Sequence, residues 1–301
     1  MSLTPEKPVS VWKLWLLAIR PKTLGAAIAP VLIGTAMAFE AEKGHLPSAF
    51  AALAGALLIQ VGTNLSNDYF DFVKGADTED RLGPTRATQA GWVRPEAVLK
   101  ASIIIFGIAA LVGVYLVCRG GWPILLIGLI SIISGVLYTG GPFPLGYIGL
   151  GELFVLVFFG PVATGGTFYV QAFELPAEVV FAGMAPGLLS TSLLVVNNLR
   201  DINTDRRAGK HTLAVFFGPR FARFEYTLCL VAAFCVPMLM AIHRQSNWFA
   251  LSSLLALIPA IPCLKCVLGS NEGIVLNQAL ANTGKILLFF SLLFSTGWLI
   301  G

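Results

Sequence analysis

The chain has 301 residues, of which 56% are apolar and 12% charged, a composition too hydrophobic for a soluble domain of this length. Apolar stretches long enough to cross about 30 Å of hydrocarbon recur from the first residues to the last, which leaves one membrane domain over 1–301 and excludes a sizeable soluble one. The net charge of +4 therefore carries information through its distribution over the loops, as topology, and no nucleic-acid partner is expected.

The expected class is all-α integral membrane, a bundle of about nine transmembrane helices in the lipid bilayer. The first span is expected over 11–39. Ala36, Met37 and Ala38 resemble a signal-peptidase site, but Arg20, Pro21 and Lys22 interrupt the apolar run before them, so a retained first helix is expected. The following spans are expected over 47–72, 97–117, 122–138, 150–170, 179–199, 224–242, 248–268 and 280–299. The loops after the second and sixth are expected to exceed twenty residues, and long loops in a compact domain are commonly functional. Cys118, Cys229, Cys235, Cys263 and Cys266 fall mostly inside apolar runs and give no disulfide framework; Cys263 and Cys266 are read as small buried apolar residues.

Basic residues orient the bundle. Lys7, Lys13, Arg20 and Lys22 open the first span, Lys74, Arg81, Arg86, Arg94 and Lys100 follow the second, and Arg200, Arg206, Arg207, Lys210, Arg220 and Arg223 follow the sixth. Only Lys43, Arg119 and Arg244 lie on the other side, so the N-terminus is expected in the cytoplasm and the chain in the cell (inner) membrane.

All six aspartates, Asp68, Asp71, Asp77, Asp80, Asp201 and Asp205, sit in the two regions after spans two and six. Asn64, Asn67, Asp68 and Asp71 follow i, i+3, i+4, i+7 and share a helical face if the helix continues; Gly75 then ends it and leaves Asp77 on the loop. Asn197, Asp201 and Asp205 stack four residues apart on a second stripe, and the repeated Asn-x-x-x-Asp spacing hints at two pseudo-repeated halves meeting at one site. Clustered carboxylates at a membrane mouth are costly without a cation, and oxygen-only donors favour Mg²⁺ over Zn²⁺. Arg81, Arg86, Arg200, Arg206, Arg207 and Lys210 surround the acids and would clamp a pyrophosphate. The plainer reading is solvated salt bridges at helix ends, with the bases serving topology.

Asn67-Asp68-x-x-Asp71 with Asp77, and Asp201-x-x-x-Asp205, resemble the two aspartate-rich motifs of the UbiA superfamily of membrane prenyltransferases, and the resemblance covers nearly the whole chain. Arg20-Pro21-Lys22-Thr23-Leu24, Asp80-Arg81-Leu82-Gly83-Pro84, Gly146-Tyr147-Ile148-Gly149 and Asn197-Asn198-Leu199-Arg200-Asp201 are most similar to its 1,4-dihydroxy-2-naphthoate polyprenyltransferase branch. The six-residue step from Asp71 to Asp77 favours that branch over the 4-hydroxybenzoate one. The resemblance implies transfer of a prenyl group from a polyprenyl diphosphate to 1,4-dihydroxy-2-naphthoate with loss of CO₂. It implies Mg²⁺ held by Asp68, Asp71, Asp77, Asp201 and Asp205, with Asn67 and Asn197 completing or orienting the set.

Lys22 is expected to pair with the acceptor carboxylate or to serve topology alone. Tyr138 is expected either to contact phosphate or to join an interfacial aromatic belt. Glu152 and His211 stay ambiguous between site and structural roles. Alternatives are another aromatic acceptor, phytyl transfer, or, from a different class, a cation-coupled transporter.

Overall fold

A computed structural model describes residues 11–76, 83 and 86–301, and all regular structure among them is helical. In chain order the α-helices are α1 (Val11–Ile19), α2 (Leu24–Glu40), α3 (Leu46–Val73), α4 (Pro95–Gly120), α5 (Trp122–Leu137), α6 (Gly151–Val157), α7 (Ala163–Ala172), α8 (Ala177–Arg207), α9 (Leu213–Arg244), α10 (Leu257–Gly269) and α11 (Gly273–Ile300). α1 with α2, α6 with α7, and the 3₁₀ turn Trp248–Ala256 with α10 each make one span, so eight segments are long and apolar enough to cross a membrane and the shorter α5 makes a ninth. The bundle is that of a multi-pass membrane protein, and the expected number of spans holds among the described residues.

Two expected boundaries are corrected. The first span breaks at Arg20, which takes a left-handed conformation (φ 55°) before Pro21, whose ring disfavours helix in the residue ahead of it. Backbone groups freed inside a membrane need new partners, and Asn64 Nδ2 donates to the Ile19 carbonyl at 2.8 Å and to Thr23 Oγ1 at 3.0 Å. The long loop expected after span six is also absent. α8 continues through its polar end to Arg207, Gly209 (φ 69°) closes it, and α9 begins at Leu213, leaving five linking residues. Gly218 and Pro219, which fall within that expected loop, instead kink α9.

The α6–α7 span is bent through a π-helical turn, Phe158–Val162, containing Gly160 and Pro161. That bend packs on Gly183 and Gly187 of α8. A Cβ at Gly183 would lie 2.9 Å from the Pro161 Cα, and one at Gly187 would lie 2.5 Å from the Leu156 carbonyl oxygen. The small-xxx-small pair lets two backbones touch where lipid offers no hydrophobic drive.

Side chains divide into two clusters. The larger joins α2, α8, α9 and α11 around Tyr226, Leu189, Phe290, Phe294 and Trp298, with Phe294 stacked on Trp298 at 5.4 Å. The smaller gathers Ala18, Leu65, Ala87 and Val98 where α3 meets α4. On the face opposite the acidic motifs, Arg244 pairs with Glu40 (2.9 Å) and Glu178 (3.1 Å) and lies over the Trp298 ring, tying the ends of α2, α8, α9 and α11 together. Lys43 pairs with Glu174 there at 2.7 Å.

Candidate functional site

Between the two clusters lies one continuous cavity of about 750 Å³, polar at the motif end and apolar beyond it. Gln60, Asn64, Asn67 and Asp71 of α3 reach it, at i, i+4, i+7, i+11, and Asn197, Asp201 and Asp205 of α8 face them. The two expected stripes therefore share one cavity.

Asp71 is almost fully buried. Its carboxylate receives Arg86 Nη2 at 2.6 Å, the Tyr147 hydroxyl at 2.6 Å and Lys210 Nζ at 3.3 Å. Asn67 accepts the Thr139 hydroxyl at 2.8 Å on its side chain, and its backbone carbonyl accepts Arg86 Nη1 at 2.9 Å. Asp201 is held from behind: Arg200 donates Nε to its Oδ1 at 2.8 Å, Nη2 to Asn197 at 2.8 Å and Nη1 to Asn277 of α11 at 2.6 Å. Arg200 does not line the cavity. It is a positioning residue, turning one amide and one carboxylate toward the space.

Lys210 joins the motifs. It follows Gly209 in the short link after α8, where the Lys210 amide bonds the Asp205 carbonyl and the His211 amide bonds the Tyr147 carbonyl at 2.8 Å. Its ammonium lies 3.3 Å from Asp71, 3.8 Å from Asp205 and 4.8 Å from the centre of the Tyr147 ring. Lys74 caps α3, donates to the carbonyls of Thr139 (2.7 Å) and Gly141 (3.0 Å), and lies 5.0 Å from the centre of the same ring. Burial pulls the Lys74 ammonium below the usual lysine range; Asp71 opposes the shift and Lys210 adds to it.

Tyr138 lines the cavity, and Gly146 and Gly151 fit closely against it: a Cβ on either would come within 3.1 Å of the ring or its hydroxyl. Glu152 does not line the cavity and accepts Asn198 Nδ2 at 2.8 Å, while Asn198 itself lines the wall. His211 stacks on Phe216 at 5.4 Å.

Besides Arg200, two expected site residues lie outside the cavity. Asp68 does not reach the cavity; the turn of helix that aims Asn67 and Asp71 inward leaves Asp68 on the flank, where Thr88 donates to its carboxylate and its carbonyl. Lys22 is exposed and outside the cavity, whereas Arg20 lines it, because the left-handed break turns residue 20 inward and residue 22 out. Asp77 and Arg81 lie outside the described residues. Sequence reasoning also passed over Tyr147, Thr139 and Arg20. Tyr147 was legible only as part of a Gly-Tyr-Ile-Gly string, and its role depends on a 3₁₀ turn, Leu145–Tyr147, that docks on His211, far along the chain.

Among the described residues no three of His, Cys, Asp and Glu gather closely enough to hold a metal ion by themselves. The reason is visible in the ion pairs, since Asp71 is drawn onto Arg86 and Lys210 and Asp201 onto Arg200. The donor set still fits a hard divalent cation that keeps positions for phosphate oxygens. It is oxygen-only, spans both motifs, and already holds a cationic group, the Lys210 ammonium, between two carboxylates.

The profile of the UbiA prenyltransferase family matches residues 27–272. The chain is 38% identical over 304 residues to the 1,4-dihydroxy-2-naphthoate octaprenyltransferase of Escherichia coli strain K12, covering 97% of each chain. It is 43% identical over 219 residues to the enzyme of that name from Mycobacterium tuberculosis, covering 73% of this chain and 75% of that one. A solved UbiA homologue from Archaeoglobus fulgidus, bound to DMAPP and Mg²⁺, shares the fold at a TM-score of 0.64 and 14% identity, over 94% of this chain and 99% of that one. The chain belongs to the UbiA prenyltransferase family.

Proposed function

We propose that the chain transfers a polyprenyl group from its diphosphate to 1,4-dihydroxy-2-naphthoate, releasing pyrophosphate and CO₂ and giving demethylmenaquinol, the reduced form of demethylmenaquinone. The observation that carries this reading is the Lys210 ammonium within reach of an aspartate from each motif, above a single apolar cavity. The naphthoate acceptor follows the names of the relatives that match along nearly the whole chain. Family membership gives the transporter alternative no support. The motif face is cytoplasmic in this proposal, in the inner membrane, because that is where the unbalanced basic residues lie.

Arg86, Lys210 and the hydroxyls of Tyr138 and Tyr147 border the space for the pyrophosphate. A Mg²⁺ ion held by Asp71, Asp201 and Asp205, with Asn67 and Asn197 beside them, would supply the positive charge that lets the pyrophosphate leave. Arg86 and Lys210 hold the same oxygens as the allylic C–O bond breaks and negative charge moves onto them. The apolar walls keep water from the allylic carbon, so the electron-rich ring is the nucleophile that reaches it. The ring supplies the electron pair of the new C–C bond, and its carboxylate departs as CO₂. Arg20, with Thr23, Gln60 and Asn64 on the same wall, takes the acceptor carboxylate and hydroxyls in place of Lys22.

Asp71→Asn and Asp201→Asn, made separately, each lower prenyl transfer by about 10²-fold or more, the scale of losing one preorganised charge-stabilising group. Product mass with naphthoate, 4-hydroxybenzoate and homogentisate offered in parallel identifies the acceptor. Near-normal transfer by either variant, correctly inserted, would sink the two-motif site, and reaction with only a non-naphthoate acceptor would sink the naphthoate reading.

A further inference from the structure

Four asparagines line the cavity, and their partners fix which end of each amide is free. Asn67 accepts the Thr139 hydroxyl and Asn197 accepts Arg200 Nη2, at 2.8 Å each, so their oxygens are engaged. Asn64 and Asn198 are tied the other way round. Asn64 Nδ2 donates to the Ile19 carbonyl at 2.8 Å and to Thr23 Oγ1 at 3.0 Å, which occupies both of its hydrogens. The Thr23 hydroxyl donates in turn to the Arg20 carbonyl, so toward Asn64 it can only accept. Asn198 Nδ2 donates to the Glu152 carboxylate at 2.8 Å, and Glu152 is itself buried. Asn64 and Asn198 are 4% and 6% exposed, yet neither Oδ1 receives a hydrogen bond from any described residue.

A buried amide that only braces helices spends both ends. Asn247 on the far face does so, accepting from Arg244 Nη1 and Ser246 Oγ and donating to the Trp298 carbonyl. An amide oxygen left free in a cavity wall is a place for a donor on a ligand. Asn64 precedes Asp71 by seven residues and Asn198 precedes Asp205 by seven, and those two aspartates share Lys210. Seven residues are about 10 Å of helix. Both oxygens therefore sit two turns inward from the motif end, one on α3 and one on α8. A ring lying between these helices meets an acceptor on either side, and the ring that matches carries hydroxyl donors on opposite edges. That is a 1,4-dihydroxy arene. Asn64 is tied to Ile19, next to Arg20. With a 2-carboxylate toward Arg20, the adjacent hydroxyl meets Asn64 and the remote one meets Asn198.

We propose, resting on the prenyl-transfer reading, that Asn64 and Asn198 select the acceptor by accepting hydrogen bonds from its two ring hydroxyls. Glu152 is the positioning residue that turns the Asn198 oxygen inward. A ring with one hydroxyl leaves an amide oxygen buried and unpaired. The oxidised ring, a 1,4-quinone, sets carbonyl oxygens against both amide oxygens, so the same pair separates the reduced acceptor from its quinone.

The test is titration calorimetry on the full chain in detergent, with Mg²⁺ and pyrophosphate but no prenyl donor, so that binding is read without transfer. The ligands are 1,4-dihydroxy-2-naphthoate kept reduced, 1-hydroxy-2-naphthoate and 1,4-naphthoquinone-2-carboxylate. The parent should bind the dihydroxy ring about tenfold or more tighter than the monohydroxy ring, the scale of one unpaired buried acceptor, and the quinone more weakly still. Asn198→Ala should bring the two hydroxylated rings within about threefold of each other, whereas Asn64→Ala should weaken both alike, because both keep the 1-hydroxyl. Glu152→Leu should narrow the ratio as Asn198→Ala does. Glu152→Gln, whose amide oxygen still accepts from Asn198, should preserve it, a rescue that a merely structural role would not produce. A parent that binds the monohydroxy ring or the quinone as tightly as the dihydroxy ring overturns the assignment without any variant having to fold. An Asn198→Ala protein that keeps the parent's ratio overturns it too. Tight binding without preference sinks the amide pair alone, while binding of none of the three sinks the naphthoate reading and the pair with it.

Discussion

Asp71 and Asp68 are three residues apart on one helix and have different neighbours. Asp71 meets Arg86, Tyr147 and Lys210, from three separate parts of the chain, at the cavity wall. Asp68 meets Thr88, away from the cavity. Asp68→Asn keeps an acceptor for the Thr88 hydroxyl and removes no charge from the cavity, so it should retain activity within about tenfold of the parent, against the about 10²-fold or greater loss expected at Asp71. Parallel initial rates on matched amounts of inserted protein check this, and equal losses at both positions would place Asp68 in the site after all. The spacing of the acids was readable from the sequence, but their aim was not. Positions i, i+3, i+4 and i+7 cover an arc of about 100° of helix face in this motif, and only packing decides which edge looks inward. Lys22 and Arg20 teach the same lesson, since a single left-handed residue exchanged which of the two faces the cavity.

At the scale of elements, nine spans were legible because apolar length is a strong signal. The continuation of α8 to Arg207 was not, because Asp201, Asn203, Thr204 and Asp205 resemble loop by composition. Tertiary contacts hold that polar turn in helix: Arg200 to Asn277, and Lys210 to Asp71. The bend in the α6–α7 span has a testable basis in glycine. Gly187→Leu would force a side chain into the Leu156 carbonyl and should cost about 1–3 kcal/mol, read as a lower midpoint of thermal unfolding in detergent. Gly128→Leu, facing open space, serves as the control and should leave the midpoint nearly unchanged. A similar loss at both positions would show that bulk in the membrane, rather than the close approach at α8, is what matters.

The whole molecule sets a densely packed group of helices, α2 with α8, α9 and α11, against the thinner wall of α3, α4 and α5, with the cavity between. Charge divides along the other axis: on the far face Arg244 and Lys43 are paired with glutamates, while the motif face carries the surplus of bases. Chelation of divalent cations should therefore abolish prenyl transfer while leaving thermal stability little changed, because Arg86, Arg200 and Lys210 already neutralise the aspartates. Transfer rates and unfolding midpoints measured with a chelator, and again after adding Mg²⁺, check both halves. Full activity with the chelator present would exclude the cation from the reaction. The cavity itself had no sequence signature, because it arises from how helices distant in the chain pack around it.

Lys210 gives the two motifs a counter-ion that belongs to the chain. On the proposed prenyl-transfer reading, capture of a metal-bound pyrophosphate would be an exchange, in which the ammonium would let go of Asp71 and Asp205 and take hold of phosphate oxygens. The same link bonds the Tyr147 carbonyl, so such an exchange would be coupled to the turn that carries a hydroxyl donor to Asp71. On that reading the lysine would act as a placeholder, returning to the carboxylates as the leaving group departs.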